Sequence, residues 1–194
     1  QNVLSGGFEM GNIWYNEPKT LDVAFDVIGD IVLSAASQQY GGFTVPSVDL
    51  ILEPYARKSY ERDLKKYIDL GVPQDKAEEV AYKDVVKEME QGFQGWEYKF
   101  NTVASSRGDY PFITVTAGTG TTRFAKMATI CMLRVRMNGQ GKKGHKKPVL
   151  FPKIVFLYDE NLHGPGKELE DVFEAGIECS RKTMYPDWLS LTGK

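Results

Sequence analysis

A chain of 194 residues with 24 basic and 26 acidic side chains has a formal net charge of −2, so it has no broad cationic surface for holding nucleic acid by charge alone. Its 42% apolar and 26% charged content excludes a disordered chain and suits one domain with a real core. No apolar run reaches the length of a membrane span, no signal peptide is visible, and Cys131 and Cys179 make no disulfide framework, so a reducing, cytoplasmic setting without membrane or nucleic-acid partners is expected.

Residues 1–19 read as strand or loop, with turns at Gly6-Gly7 and Gly11-Asn12. A first helix is predicted over 20–39. Leu21, Ala24, Phe25, Ile28, Ile31, Val32, Ala35 and Ala36 keep the 3.6-residue repeat, and Val23, Val27 and Leu33 widen that face. Only Asp22, Asp26 and Asp30 form a polar stripe, so this helix needs cover from nearly all sides. Gly41-Gly42 is expected to be a tight glycine turn, with Pro46 opening a second helix to about Leu70 and Pro54 bending it. Lys58, Arg62, Lys65 and Lys66 on that helix are either a solvated face or a phosphate-receiving cluster. A third helix fits 74–103, with Ala77, Val80, Ala81, Val85, Met89, Phe93, Trp96, Phe100 and Val103 as its apolar face.

From Pro111 the texture becomes α/β. Strands are predicted at 111–118 and 149–159, helices at 121–137 and 167–184, and a third strand at 188–191. Pro152 belongs near a strand start or at a bulge. GQGKKGHKK (139–147) is a basic, glycine-rich surface loop. Strand alternating with helix is the signature of parallel strands with crossovers, which fits part of a barrel or an open sheet.

The chemistry-bearing candidates are few. TAGTGTTR (116–123) joins a strand end to a helix start. Gly118 and Gly120 would let the backbone approach an anion, and free helix amides with Thr121 and Thr122 would bind phosphate. An ordinary flexible loop is the alternative, because neither the Walker nor the full dinucleotide glycine pattern is present. Cys131 and Cys179 sit on apolar helix faces and are expected to be core thiols. His145 and His163 are expected to be solvated. No metal-binding pattern and no nucleophile–base pair is visible, so no catalytic or metal residue is assigned.

Four segments in register carry a resemblance: SAASQQYGG (34–42), YKFNTVASSRGDYPFITV (98–115), FPKIVFLYDE (151–160) and ECSRKTMYPDWLS (178–190). They are similar to the anaerobic, class III glycyl-radical ribonucleoside-triphosphate reductases, with their S-S-Q-Y-G-G, N-T-L before a P-F strand, F-P-K-L-V-F and C-x-K-R-M-Y-P-D. The resemblance implies a ten-stranded α/β barrel in which 1–108 is the mainly helical interface and effector region and 109–194 supplies barrel strands and helices. It also implies radical reduction of ribonucleoside triphosphates, a glycyl radical, formate as reductant, and an activating iron–sulfur enzyme that uses S-adenosylmethionine.

By the same resemblance, the helices over 20–70 form a homodimer and bind deoxynucleotide effectors. Tyr40, Gly41 and Gly42 match the family turn beside that interface. Tyr55, Lys58 and Arg62 are the effector-binding candidates. Asn101, Ser105 and Ser106, with Gly118, Gly120 and Thr121, are the substrate-binding candidates. The family's S-P-M-G-C-R thiyl motif, its partner cysteine, its glycyl motif and its zinc cysteines do not occur in this sequence. Cys179 matches instead the cysteine of C-x-K-R-M-Y-P-D. The chain also starts at Gln1 without Met, so an internal segment, inactive by itself, is expected. Two alternatives stay open: a non-catalytic nucleotide-binding or assembly fragment that complements the rest of a split reductase, and another glycyl-radical enzyme on the same barrel.

Overall fold

The computed structural model describes residues 4–39, 41–103 and 110–192. Tyr40, Ser105 and Ser106, all singled out above, lie outside the described residues.

The chain opens with an antiparallel hairpin of β1 (Phe8–Met10) and β2 (Ile13–Tyr15), turned at Gly11, whose φ of 64° suits glycine. Helix α1 (Leu21–Gln38) follows. Then come β3 (Phe43–Val45), α2 (Val48–Asp69), α3 (Gln74–Thr102) and β4 (Ile113–Ala117). The last elements are α4 (Arg123–Asn138), β5 (Lys153–Tyr158), α5 (Glu170–Thr183) and β6 (Asp187–Ser190). Strands β3 to β6 form one parallel sheet whose spatial order is their sequence order.

Strand β3 corrects the expectation of a tight glycine turn between the first two helices. Three residues are too few to show a period. Gly42 serves the pairing instead. A Cβ on Gly42 would lie 3.0 Å from the carbonyl oxygen of Phe112, and the next amide, Phe43 N–H, donates to that same oxygen at 2.9 Å. The second helix starts at Val48 rather than Pro46, and it continues through Pro54 without a break.

One sheet face is buried under the helices. Val45, Ile113, Val115, Ala117, Ile154 and Phe156 all belong to the apolar core. The other face carries Thr114, Thr116, Lys153 and Val155, paired Thr114 with Lys153 and Thr116 with Val155, and is half-exposed. Lys153 meets Asp187 across it at 3.3 Å.

The helix faces pack largely as their periodicity predicts. Ala77, Ala81, Val85, Met89, Phe93, Trp96 and Phe100 of α3 are buried, whereas Val103 is exposed. Phe25 of α1 packs edge-on against Phe93 and Trp96, with ring centroids 5.0 and 4.9 Å away. The Trp96 indole N–H donates to the carbonyl of Phe25 at 2.9 Å. Gly92 is required at this crossing, because a Cβ there would fall 2.2 Å from the Phe25 ring. Most of the apolar face of α1 is therefore covered within the chain. On its polar stripe, Asp26 and Asp30 face Lys99 at 3.8 and 3.4 Å.

A buried ion pair stitches the helices to the sheet. Arg136 of α4 is fully buried, and its Nε donates to Glu97 of α3 at 2.9 Å. Its Nη2 donates to the Pro152 carbonyl at 2.6 Å, and its guanidinium lies 4.9 Å from the Tyr185 ring centroid. Gln140 donates to the second Glu97 oxygen at 2.6 Å. Removing one partner of a buried pair strands the other charge. Glu97→Ala should therefore lower unfolding stability by about 3–5 kcal/mol, measured by urea titration, and Glu97→Gln by less.

Candidate ligand site at the carboxyl ends of the strands

In parallel α/β sheets the helix N-termini and the βα loops gather at the carboxyl ends of the strands, and ligands bind there. In this chain that edge is built from the β3–α2, β4–α4 and β5–α5 connections. Ser47, at φ 47° and ψ 55°, turns the chain from β3 into α2, and its amide donates to the Thr116 hydroxyl of β4 at 2.8 Å. Two residues later Asp49, in the first turn of α2, points under the next loop and is fully buried.

One carboxylate oxygen of Asp49, Oδ2, accepts the amides of Gly118 at 3.1 Å and Gly120 at 2.9 Å. The other, Oδ1, has no hydrogen-bond partner among the described residues. Both glycines are needed for this fit. Gly118 has φ 127°, and a Cβ on Gly120 would lie 2.4 Å from the Ala125 Cβ and 3.0 Å from Asp49 Oδ2. Thr122 then caps α4 by accepting from the Ala125 amide at 3.2 Å.

His163 closes the loop from the other side. Its Nε2 lies 2.7 Å from the Gly118 carbonyl, and its Nδ1 receives the Asp159 amide at 3.0 Å. A carbonyl only accepts and an amide N–H only donates, so a ring with its proton on Nε2 satisfies both contacts. The ring is fully buried and packs against Phe156 and Tyr158, with centroids 5.0 and 5.6 Å away. This corrects the expectation of a solvated His163, whereas His145 is exposed in its basic loop.

The sequence-chosen candidates fall into three places. Gly118, Gly120 and Thr121 share the carboxyl-end loop, but the two glycine amides are engaged by Asp49, and only Thr121 is exposed. Asn101 sits at the opposite, amino-terminal edge. Its Nδ2 donates to the carbonyls of Glu97 and Phe151, each at 2.6 Å, and its Oδ1 accepts the Phe151 amide at 3.2 Å. It thus clamps the lead into β5 and is not brought together with the glycine loop. Tyr55, Lys58 and Arg62 lie along α2. Tyr55 is buried, and burial pushes its hydroxyl pKa up.

Lys58 donates to Glu17 at 2.6 Å and lies 5.2 Å from the Tyr55 ring centroid. Arg62 forks onto Asp63, with both bonds at 2.9 Å, and reaches Glu88 at 3.4 Å. The bond to Asp63 raises the Arg62 pKa, and burial raises that of Glu88. Lys65 and Lys66, from the same basic cluster, are exposed.

Asp49 escaped the sequence reading. A carboxylate in a first helical turn looks like an ordinary response to the helix dipole. Its partners lie 69 and 71 residues downstream, so no local pattern marks it. Among the described residues, no group of three His, Cys, Asp or Glu is placed to hold a metal, and no helix is long and apolar enough to cross a membrane.

Both cysteines are buried core thiols, as their helix positions suggested. Burial pushes the Cys131 thiol up to about 12 and raises that of Cys179. The thiolate is the reactive form. Iodoacetamide at pH 8 should therefore leave both unmodified in the folded chain and label both in urea, read by mass spectrometry. Labelling of the native chain at either position would contradict this.

Comparisons with known proteins agree with this architecture. The family model described as anaerobic ribonucleoside-triphosphate reductase matches residues 1–194. The chain is 38% identical over 191 residues to the anaerobic ribonucleoside-triphosphate reductase of Haemophilus influenzae, covering 98% of this chain and 26% of that protein. It is 34% identical over 192 residues to the enzyme of that name from Enterobacteria phage T4, covering 98% of this chain and 31% of that one. It therefore spans between a quarter and a third of the length of these curated relatives.

The crystal structure of the Thermotoga maritima anaerobic ribonucleotide reductase with citrate in the active site superposes with a TM-score of 0.58 at 18% identity, over 95% of this chain and 32% of that one. The structure of the same enzyme in complex with dATP and CTP gives a TM-score of 0.58 at 17% identity, over 95% and 31% of the two chains. With the model matching every residue and relatives above 30% identity running almost end to end, this chain belongs to the anaerobic ribonucleoside-triphosphate reductase family.

Proposed function

We propose that this chain is a segment of an enzyme that reduces ribonucleoside triphosphates to deoxyribonucleotides by radical chemistry. The observation that carries the reading is the family match over all 194 residues. The half-exposed sheet face of Thr114, Thr116, Lys153 and Val155 supports it. In an α/β barrel the helices cover the outside, so this polar face is the side that would line the interior. Ten strands in total, a glycyl radical, formate as reductant and an activating iron–sulfur enzyme that uses S-adenosylmethionine complete the proposal. The radical-bearing residues are assigned to other parts of the enzyme, since the family's S-P-M-G-C-R and glycyl motifs do not occur in this sequence. By itself the segment then turns over no substrate.

Substrate is proposed to meet the carboxyl-end loop at Thr121. Effector deoxynucleotide is proposed to meet α2 at Lys58 and Arg62, with α1 and α2 forming a homodimer. The solved complex of the Thermotoga maritima enzyme with dATP and CTP supports nucleotides of both kinds. Lys58 and Arg62 already hold Glu17 and Asp63, so phosphate would compete with two carboxylates there.

A second reading, an assembly piece that binds nucleotide and works only with the rest of a split reductase, is favoured by one observation. The β6 side of the sheet leaves Met184, Leu189 and Leu191 exposed at 90%, 50% and 51%. An open strand edge bordered by apolar side chains invites a partner.

Calorimetric titration with dATP and dTTP tests the effector site. Saturable, stoichiometric binding is expected, with Lys58→Ala weakening it by about tenfold, the worth of one charge-assisted hydrogen bond. Unchanged affinity in that variant removes Lys58 from the site. Sedimentation at micromolar concentration should show the chain associating. A monomer would contradict both the dimer and the open-edge argument.

A further inference from the structure

We propose that Asp49 is a positioning residue for nucleotide binding at the carboxyl edge of the sheet, acting as the built-in acceptor that sets the 118–122 loop. This rests on the reading above that substrate meets that loop.

A glycine loop between a strand end and a helix start ordinarily turns its amides toward an anion from outside. Here the anion comes from α2, where Asp49 Oδ2 takes the Gly118 and Gly120 amides at 3.1 and 2.9 Å. The nest is filled, so those two donors do not cradle a substrate phosphate. The filling is costly to folding, because a fully buried carboxylate keeps one oxygen, Oδ1, without a partner among the described residues. What Asp49 secures is geometry.

Its grip spreads along the edge. Gly118 gives its amide to Asp49 and its carbonyl to His163 Nε2, and His163 Nδ1 holds the Asp159 amide. One line of hydrogen bonds therefore ties the connections after β3, β4 and β5 to one another. Thr121 lies exposed immediately beyond the second gripped amide, and Thr122 caps α4. The direction in which Thr121 and the first turn of α4 face a ligand is set by how Asp49 seats the loop.

The test uses the full-length reductase that carries this chain, with Asp49→Asn, Asp49→Glu and Asp49→Ala. Asn keeps an oxygen where both amides can reach it and removes the charge. Glu keeps the charge and displaces the oxygen. Ala removes the acceptor. Hydrogen exchange over 117–123 and the KM and kcat for CTP are the readouts, and dATP affinity checks that the fold and the effector region are intact.

Asp49→Ala and Asp49→Glu should speed exchange and raise KM by about tenfold with a smaller change in kcat, as expected when a bound geometry held by hydrogen bonds is lost. Asp49→Asn should stay within about threefold of wild type on both readouts, since its amide oxygen preserves the grip. If Asp49→Ala does not fold, the Asn and Glu pair decides. Impaired Asn with intact Glu would assign the effect to charge and overturn the proposal. So would two intact variants, or two equally impaired ones. Absence of turnover in the wild-type protein would instead sink the reductase reading. Exchange of 117–123 with and without CTP would still decide whether Asp49 seats the loop.

Discussion

The guanidinium of Arg136 has nowhere to go except inward, and much of the fold is arranged to receive it. A buried charge must be met by an opposite charge and by hydrogen bonds, or the fold loses several kcal/mol. Glu97 of α3 supplies the charge, the Pro152 carbonyl supplies an acceptor, and Tyr185 supplies a ring face. These partners come from the long helix before the sheet, from the lead into β5 and from the lead into β6. Satisfying one side chain thus aligns the amino-terminal edge of the sheet with the helix that covers it. Asn101, four residues beyond Glu97, reinforces the same edge by pairing with both backbone groups of Phe151.

The carboxyl edge uses the opposite sign of charge for a different end. Asp49 gathers backbone amides rather than a guanidinium, and one of its oxygens is left over. Each edge keeps one buried polar atom without a partner among the described residues, Arg136 Nη1 at the amino edge and Asp49 Oδ1 at the carboxyl edge. What sets the carboxyl edge apart is its dependence on Gly118 and Gly120 and the exposed Thr121 beside them.

What could be read from the amino acids divides along the same physical line. Elements long enough to repeat an apolar period were legible. The seven buried apolar residues of α3, from Ala77 to Phe100, follow one another at spacings of three or four. The strand–helix order from β4 to β6 was legible for the same reason. Features that depend on long-range pairing were not. Strand β3 has three residues and exists because β4 receives it. Asp49 and Arg136 look like ordinary members of their helices until distant segments are brought beside them. His163, between a surface-like Asn161 and Gly164, carries no sign of its burial under the Gly118 carbonyl. At Gly118 and Gly120 the sequence points to backbone amides approaching an anion, and the carboxylate they meet is the chain's own Asp49.

The order of the strands has a consequence for how the molecule is made. In space the sheet runs β3, β4, β5, β6, the order of synthesis. Among the described residues, no strand has to wedge between two that are already paired. As the chain leaves the ribosome, each new strand–helix unit can dock on the edge its predecessor has just exposed, and the growing sheet always offers one template edge. Assembly can therefore keep pace with translation, one βα step at a time, without waiting for the carboxyl terminus.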